Sequence, residues 1–410
     1  MKIRALHLYI VDLPFRFSFN HSLAKRSSST NLIVKAIVEK NGLFFEGFGE
    51  GIPREYVTGE TIEQATVLLQ EKYFPSVIDQ YFSNVYELVD FLAEQFNNFG
   101  LTHKPSGASW CALELALLDA ACKFDNISLK QLLDVDSKVD APDSIKYGAV
   151  ASLTNRKSLI ALLTLFKLYG FSTVKLKIGK DLQSDIERIA LARKILGNDV
   201  IIRVDANCAW SVAQTIEFAQ SAQAYNIASI EQPVKADNIA AIVQLSSTIP
   251  QPIVLDESLC TVNQALDFVN KQVKADFNIR ISKMGGIIAA NKIRNIAKQA
   301  GVACHLGAQV GESGILTMAG RIFAISRGPF VNHEGAANSF LLKHDLTRQN
   351  LTFGYGGEGK LPDKDKTRTG LGITLNERNF RNQITKEFFL KSNELRSNNT
   401  TELIVAGEKL

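Results

Sequence analysis

Five ionisable side chains recur at a nearly constant interval through the middle of the chain: Lys177, Asp205, Glu231, Asp256 and Lys283. The intervals are 28, 26, 25 and 27 residues, about one strand–helix unit each. Each acid ends a short apolar run, and side chains at the C-terminal ends of barrel strands face the catalytic opening. A single acid of this kind is more often a helix cap or a loop carboxylate. Three on consecutive strands, flanked by lysines, favour an active site.

The types of these residues indicate a particular chemistry. Three carboxylates on neighbouring strands can converge on one hard cation such as Mg²⁺. Lys177 and Lys283 belong to strands four apart in a ring of eight, so they face each other across that ion. Lys175 shares a strand face with Lys177, and a neighbouring ammonium lowers the pKa of a lysine base. Such a set suits removal of the proton α to a carboxylate, after which the opposite lysine returns a proton or assists an elimination.

A regular alternation of strands and helices must position these residues. The helical stretches between the strands include residues 184–196, 212–225, 239–247, 262–268 and 287–300. The short apolar runs that read as strands are residues 147–152, 173–178, 200–205, 227–231, 253–256, 277–281, 302–306 and 330–334. Strands that alternate with helices form parallel βαβ units. Eight such repeats predict a (β/α)8 barrel, with or without its last helix.

The region before this barrel has a different pattern of polar and apolar residues. Residues 30–39 and 43–50 read as strands of an antiparallel meander, joined by the turn Asn41-Gly42. The polar segment 18–30 predicts a long loop, and long loops in compact domains are often functional. Residues 108–124 are apolar nearly all round, which predicts a buried helix.

Composition excludes several classes of protein. The 410 residues carry 46 Lys+Arg against 42 Asp+Glu, a net charge of +4 with no dense cationic cluster, so a nucleic-acid partner is not expected. No apolar run is long enough to span a membrane, and the first ten residues alternate like a strand rather than a signal peptide. The five scattered cysteines predict neither a disulfide framework nor a zinc site. The expected location is the cytoplasm.

Ordered motifs around the charged residues resemble a known family. The motifs are Lys175-Leu176-Lys177, Arg203-Val204-Asp205-Ala206-Asn207, Ile230-Glu231-Gln232-Pro233, Leu255-Asp256-Glu257-Ser258, Ile281-Ser282-Lys283-Met284-Gly285-Gly286 and Glu312-Ser313. In this order the chain resembles the enolase superfamily, specifically its muconate-lactonising-enzyme subgroup (the mandelate racemase/muconate lactonizing enzyme family).

The resemblance implies a fold and a set of domains. The expected fold is α/β, a modified (β/α)7β TIM barrel with an α+β capping domain built from the N-terminal part and C-terminal residues. Residues 1–135 would form the cap, residues 145–340 the catalytic barrel, and residues 341–410 a segment that returns to the cap and ends in a polar tail. Homo-oligomers are common in the family.

The resemblance also implies roles. Mg²⁺, for which Mn²⁺ can substitute, would be bound by Asp205, Glu231 and Asp256. Lys177 and Lys283 would be the acid/base pair, and Lys175 the companion that tunes Lys177. Asn207 and Glu257 would hold the metal ligands in place.

Substrate choice in this family depends on the cap loops and on the ends of the last two strands. The residues expected to contact substrate are Arg26, Tyr56, His305, Glu312, His333 and Glu334. Arg26 would bind a second carboxylate, Tyr56 would form a wall, and Glu312 or Glu334 would supply an anionic contact. Each of the loop residues could equally be a solvated one. Family members that epimerise Ala-Glu carry Asp-x-Asp where this chain has His333-Glu334-Gly335-Ala336-Ala337-Asn338, which counts against that substrate.

The sequence therefore predicts an Mg²⁺-dependent isomerase that acts on a small-molecule carboxylate. Epimerisation or racemisation of a dipeptide or an N-acyl amino acid is the first hypothesis. A muconate-type cycloisomerase or an o-succinylbenzoate synthase-type dehydratase would use the same ion and lysines. A catalytically silent barrel retained for binding is the remaining alternative. Neither a nucleic acid nor a membrane is expected as a partner.

Overall fold

The computed structural model describes residues 1–20, 25–104, 106–134, 142–362 and 369–391, and for residues 18–20 and 25 it describes the backbone only. The predicted polar tail, from residue 392 onward, lies outside the described residues. In the described part of the chain, no helix is long and apolar enough to cross a membrane. All five cysteines are free, as the sequence predicts.

An antiparallel meander opens the chain, formed by β1 (Lys2–Asn20), β2 (Lys25–Lys40) and β3 (Leu43–Gly51). The turn at Asn41 and Gly42 has φ of 51° and 80°, conformations that Asn and Gly adopt most easily. The predicted loop is wrong for residues 18–20 and 25–30, which are strand, while residues 21–24 lie outside the described residues. Strands β1 and β2 pair as far as Asn20 with Lys25, and the register shifts between Pro14 and Phe19. Backbone pairing across the hairpin outweighs the low apolar content from which a loop was inferred.

Helices follow the meander and cover one face of it. They are α1 (Glu55–Thr58), α2 (Ile62–Leu68), a π-helical turn (Leu69–Tyr73), α3 (Phe74–Val77), α4 (Val85–Asn98), α5 (Gly107–Phe124) and α6 (Leu129–Asp134). Helix α5 is buried nearly all round, as its composition predicts. Three glycines of β3 let α5 pack directly against the strand backbone, where no Cβ would fit. A Cβ on Gly47, Gly49 or Gly51 would lie 1.9–2.1 Å from a backbone carbonyl oxygen of α5.

The second unit is a barrel that begins after the short strand β4 (Ser144–Lys146). Its eight parallel strands are β5 (Ala149–Ala151), β6 (Thr173–Lys177), β7 (Ile201–Asp205), β8 (Ile227–Glu231), β9 (Ile253–Leu255), β10 (Ala275–Ile279), β11 (Cys304–Leu306) and β12 (Asn332–His333). They are ordered as in the sequence. The ring closes between its first and last strands through a bridge of Tyr147 to His333 and a hydrogen bond from Gly148 N to His333 O of 2.8 Å.

Helices lie between the strands at each of the seven steps. They are α7 (Arg156–Leu168), α8 (Leu182–Leu196), α9 (Val212–Ser221), α10 (Ile239–Thr248), α11 (Val262–Asn270), α12 (Ile281–Met284), α13 (Ile287–Gln299) and α14 (Gly314–Arg327), with a 3₁₀ turn at Gln223–Tyr225. Between β12 and residue 358 the described residues form the short helix α15 (Asn338–Leu341) and a 3₁₀ turn (Tyr355–Gly357). The fold is therefore a (β/α)7β barrel, in which no full barrel helix follows the closing strand.

The chain then returns to the meander. Strand β13 (Glu358–Lys360) pairs with β4, helix α16 (Glu377–Gln383) follows, and strand β14 (Ile384–Lys391) pairs antiparallel with β1. The four-stranded sheet of the first unit therefore has the order β14-β1-β2-β3. This first unit is the α+β cap that the sequence predicts, with its edge strand supplied by the C-terminal part of the chain.

Candidate active site

The charged residues singled out in the sequence meet at one end of the barrel. Strand register places Lys177 beside Asp205 and Asp205 beside Glu231. Asp256 follows β9 directly, and Lys283 lies in the single-turn helix α12 after β10. All five side chains are buried. Because parallel strands end at one rim, residues far apart in sequence become neighbours here.

Lys177 is held by the acid of the next strand. Its Nζ lies 2.5 Å from Oδ2 of Asp205 and 2.8 Å from Oδ1 of Asn207. The amide nitrogen of Asn207 lies 3.2 Å from Oε1 of Glu257. Burial raises the pKa of Glu257 to about 8, and the negative charges of Asp256 and Asp205 add to this. Asn207 and Glu257 thus stand beside the acids, where a supporting role was expected for them.

Lys283 is held in a corresponding way by Asp256. Its Nζ lies 2.8 Å from Oδ1 of Asp256, 2.7 Å from the backbone oxygen of the same residue and 3.0 Å from that of Asn278. The side chain is 0% exposed, and it is not among the residues that line the cavity described below. Its role as the second acid/base stays a prediction.

Lys175 belongs to a network of buried charges below Lys177. Its Nζ lies 2.6 Å from Glu334 and 3.1 Å from Glu231, and Arg203 contacts the same two acids at 2.7 and 3.1 Å. Burial lowers the pKa of Lys175, but Glu231, Glu334 and Asp205 raise it well above its usual value overall. Glu334 is therefore not the free anionic contact that the sequence predicts, since Lys175 and Arg203 occupy its oxygens.

The three acids have the donor chemistry for a hard cation, since all their ligand atoms are carboxylate oxygens. In the described residues, however, no three acidic, His or Cys side chains are placed to hold a metal ion. Arg280 contacts two of these acids. Its guanidinium forms a close ion pair with Asp256 and lies 3.8 Å from Oε1 of Glu231. An internal cation thus bridges two of the expected ligands, so the set fits a cation provided that Arg280 moves.

A cavity of about 460 Å³ opens over this rim. Lys175, Lys177, Asn207, Glu257 and Arg280 form its charged end. Cap residues and the loops after β11 and β12 enclose it, and one side is apolar. Its size lies within the range of small-molecule sites.

The predicted substrate contacts divide into two groups. Tyr56, Glu312 and Glu334 line the cavity, whereas Arg26, His305 and His333 do not. The guanidinium of Arg26 lies instead over the ring of Tyr56, at 5.7 Å from its centroid. His305 points into the barrel interior beneath the site and lies 3.0 Å from Asp276, and His333 Nδ1 lies 3.1 Å from the backbone oxygen of Lys146. Arg26 and these histidines therefore do not line the cavity, and their contact with substrate stays a prediction.

Glu312 enters the cavity as a buried carboxyl. One oxygen accepts a hydrogen bond of 2.7 Å from the backbone nitrogen of Gln309. Burial raises the pKa of Glu312 to about 8, which this hydrogen bond only partly offsets. Near neutral pH the group is largely a protonated hydrogen-bond donor rather than the anion predicted from its type.

Sequence reasoning missed the arginines of the site. Arg203 and Asp205 alternate on β7 as Lys175 and Lys177 do on β6, so the period of two could have identified Arg203. Arg280 lies three residues before Lys283, one helical turn away. No pattern in the sequence singles out Arg54. It lines the cavity from the cap, is buried, and donates hydrogen bonds to the backbone oxygen of Pro53 at 2.8 Å and to Ser29 Oγ at 2.5 Å.

Comparison with known proteins places the chain among isomerases. The profile of a family described as Enolase C-terminal domain-like matches residues 160–379. N-succinyl-L-Arg/Lys racemase of Bacillus cereus is 30% identical over 80% of this chain and 85% of that protein. The hydrophobic dipeptide epimerase of Enterococcus faecalis is 28% identical over 80% and 88%. Chloromuconate cycloisomerase of Cupriavidus pinatubonensis is 25% identical over 90% and 98%.

Two solved structures share the fold. The N-succinyl Arg/Lys racemase from Bacillus cereus superposes with a TM-score of 0.85 at 28% identity, over 95% of this chain and 100% of that one. The dipeptide epimerase from Enterococcus faecalis, complexed with Mg and the dipeptide L-Leu-L-Tyr, gives 0.80 at 25% identity, over 91% and 100%. The cap and the barrel are thus both present in these relatives.

Proposed function

Because the chain belongs to the enolase superfamily, in the mandelate racemase and muconate-lactonising enzyme group, and is an isomerase, we propose that it epimerises or racemises an amino-acid derivative at the carbon α to a carboxylate. The substrate is a dipeptide or an N-acyl amino acid. One observation carries the proposal. Lys177 ends strand β6 and Lys283 follows strand β10, four strands further round the barrel, and each is bound to a carboxylate of one buried acidic set.

The two lysines divide the chemistry between the two faces of the substrate. Lys177 Nζ removes the α proton of one epimer, and Lys283 Nζ returns a proton to the opposite face; the roles exchange for the other epimer. Asp205 and Asn207 orient Lys177, and Asp256 orients Lys283. Lys283 does not line the cavity while Arg280 holds Asp256. The proposal therefore requires that this ion pair rearrange on binding.

Asp205, Glu231 and Asp256 are proposed to hold Mg²⁺. A bound Mg²⁺ would supply the positive charge that stabilises the enolate formed when the α proton leaves. Glu312, protonated near neutral pH, donates a hydrogen bond to the substrate carboxylate. Arg54 offers a cation to a carbonyl or second carboxylate, because in the described residues it makes no ion pair of its own.

The test is α-proton exchange in D₂O. Purified protein with Mg²⁺ is offered both epimers of a set of dipeptides and N-acyl amino acids, and a one-dalton gain at Cα is measured by mass spectrometry. We expect exchange accompanied by inversion, and its loss on chelation of the metal. Lys177→Ala should lose exchange from one epimer, and Lys283→Ala from the other, by about 10²–10⁴-fold each.

The control is Lys157→Ala, which removes an exposed lysine of α7 that lies outside the cavity. It should match the unsubstituted protein. Circular dichroism shows whether each variant is folded. If Lys177→Ala or Lys283→Ala keeps full exchange from both epimers while folded, the two-lysine proposal is wrong.

Cycloisomerisation is the second candidate, because a chloromuconate cycloisomerase is 25% identical over 90% of this chain. It is tested with cis,cis-muconate in the same buffer, by following the loss of the conjugated diene absorbance. Turnover of muconate without exchange in any amino-acid derivative would replace the epimerase proposal.

A further inference from the structure

A hydrogen-bonded network joins two parts of the cavity wall that belong to different units of the fold. Its members are Ser29 and Asn31 of β2 and Glu50 of β3, and we call it the Asn31 network. All three side chains are buried. At one end lies Arg54, which lines the cavity from the cap, and at the other end lies the loop that carries Glu312, which lines it from the barrel.

The cap end of the network fixes the guanidinium of Arg54. One of its nitrogens donates to Ser29 Oγ at 2.5 Å, and Ser29 Oγ donates in turn to Asn31 Oδ1. Because a hydroxyl group has a single hydrogen, the bond to Asn31 leaves Ser29 only its lone pairs for Arg54. A second nitrogen of Arg54 donates to the backbone oxygen of Pro53 at 2.8 Å. The position of this cation therefore depends on Ser29, and through Ser29 on Asn31.

The barrel end of the network fixes the backbone around Glu312. The amide nitrogen of Asn31 donates to the backbone oxygen of Gly311 at 2.9 Å and to Oε1 of Glu50 at 2.6 Å. Glu50 also accepts from the backbone nitrogen of Ser313 at 2.9 Å and from its hydroxyl at 2.6 Å. The two residues that flank Glu312 are therefore both bound to the cap.

The contact between the cap and this loop is too close for ordinary side chains. Gly311 has a φ of 95°. A Cβ on this residue would lie 2.3 Å from Ser29 Cβ and 2.5 Å from Ser29 Oγ. Glycine alone suits both the backbone conformation and the contact. Since the loop lies directly on β2, a shift of either one is transmitted to the other.

We propose that the Asn31 network couples Arg54 to Glu312, and that Asn31 is the positioning residue of this coupling. The amide of Asn31 suits the role because its oxygen accepts from Ser29 while its two N–H groups serve Glu50 and the loop. The inference rests on the proposed function, which takes Arg54 and Glu312 as substrate contacts. The coupling keeps these two contacts, one from the cap and one from the barrel, in register.

Hydrogen–deuterium exchange of the backbone tests the coupling without any substrate. The reporters are the amides of Ser313 and Leu316, which both donate to Glu50. Arg54→Met, on the cap side, should raise their exchange rate about three- to tenfold. Asn31→Asp should raise the rate by at least as much, because it removes both N–H donors of the amide. Adding Arg54→Met to Asn31→Asp should change nothing further.

Kinetics test whether the coupling reaches the substrate. The substrate is the amino-acid derivative with the fastest α-proton exchange in the set above, and Arg54→Met and Glu312→Gln are measured singly and together. The double variant should differ about tenfold in kcat/KM from the product of the two single effects. In the Asn31→Asp background the difference should fall below about twofold. A network that only held the cap in place would lower stability and leave the two effects independent.

Asn84→Asp is the matched control for Asn31→Asp. The side-chain oxygen of Asn84 accepts from the backbone nitrogens of Tyr86 and Glu87 at 2.9 and 3.1 Å, and an aspartate keeps this acceptor. The control should leave both the amide exchange and the coupling unchanged. Asn31→Ser is the milder variant if Asn31→Asp does not fold, because serine supplies one donor instead of two.

The coupling and the proposed function can fail separately. Unchanged amide exchange in folded Arg54→Met, or a coupling that survives in folded Asn31→Asp, would reject the Asn31 network as a link. Independent effects of Arg54→Met and Glu312→Gln on kcat/KM would reject its influence on the substrate. Coupled amide exchange without α-proton exchange in any compound would keep the link and reject the chemistry.

Discussion

The buried carboxyl groups of the barrel mouth and those of the cap interface meet opposite electrostatic surroundings. In the barrel mouth, Glu334 lies 2.6 Å from Lys175 and 2.7 Å from Arg203. At the cap interface, Glu50 of β3 and Glu114 of α5 face the N-termini of barrel helices instead. Glu50 accepts from Ser313 N at 2.9 Å, and Glu114 accepts from Ile288 N at 3.1 Å.

The pKa values of the buried carboxyl groups differ between the two regions. Burial raises the pKa of Glu334, but Lys175 and Arg203 outweigh it and bring the value down to about 2. Burial raises the pKa of Glu50 to about 7 and that of Glu114 to about 8, because backbone N–H groups offset only part of it. A helix N-terminus carries about half a positive charge, whereas a lysine carries a whole one. The same residue type is therefore an anion in the mouth and a largely neutral hydrogen-bonding link at the interface.

The largest expected effect comes from removing charge in the barrel mouth. Glu334→Gln leaves Lys175 and Arg203 with Glu231 as their shared partner, and breaking a buried ion pair costs about 3–5 kcal/mol. Urea unfolding at pH 7 measures the loss of stability, and α-proton exchange should fall with it. Glu114→Gln is the matched substitution at the interface. It should not lower stability at pH 7 and should leave exchange intact, because the folded protein keeps Glu114 mostly protonated and Gln removes the cost of taking up that proton. Equal losses in both variants would refute the contrast.

Lowering the pH should reveal the same contrast in the stability of the unsubstituted protein. The pKa of Glu334 is about 2 in the folded state and 4.5 when unperturbed. Between these values only the unfolded state binds the proton, so the stability from Glu334 is present above pH 4.5 and is lost as pH falls towards 2. The loss should be about 3 kcal/mol. The free energy of unfolding, measured from pH 6 to pH 2.5, should fall less steeply in Glu334→Gln than in the unsubstituted protein. Parallel curves would contradict the lowered pKa of Glu334.

The smallest expected effect is the pH dependence of stability that comes from Glu114 at the cap interface. Its sign is opposite to that of Glu334. The pKa of Glu114 is about 8 when folded and 4.5 when unperturbed. The folded state keeps a proton that the unfolded state has released, so this stability is present below pH 4.5 and is lost as pH rises towards 8. We expect a loss of about 2 kcal/mol, since movement of the ionised group into water relieves part of the cost. Glu114→Gln should abolish that slope between pH 5 and 8. If the pH dependence of stability is unchanged in Glu114→Gln, Glu114 is not its cause.

The barrel and its rim were predictable because they follow local rules. Strand runs and intervening helices repeat with a fixed period, and Lys177, Asp205, Glu231 and Asp256 each stand at the end of such a run. The cap hairpin was less predictable. The strand pairing of Phe19 and Asn20 with Arg26 and Lys25 depends on the partner strand rather than on the residues' own pattern. That His305 and His333 do not line the cavity was hard to predict for a related reason, since the side that a strand presents to a cavity depends on the surrounding packing.

The sequence alone determined the order and spacing of the acids and lysines, the buried helix α5 and the alternation that builds the barrel. These depend on residues within one strand or one helix of each other. Only the tertiary structure decided that Arg280 bridges Glu231 and Asp256, that Arg54 reaches the cavity, and that Leu162 and Phe353 line the same cavity. Such contacts join segments far apart along the chain. They arise when the whole barrel closes and the cap covers it, which no local pattern encodes.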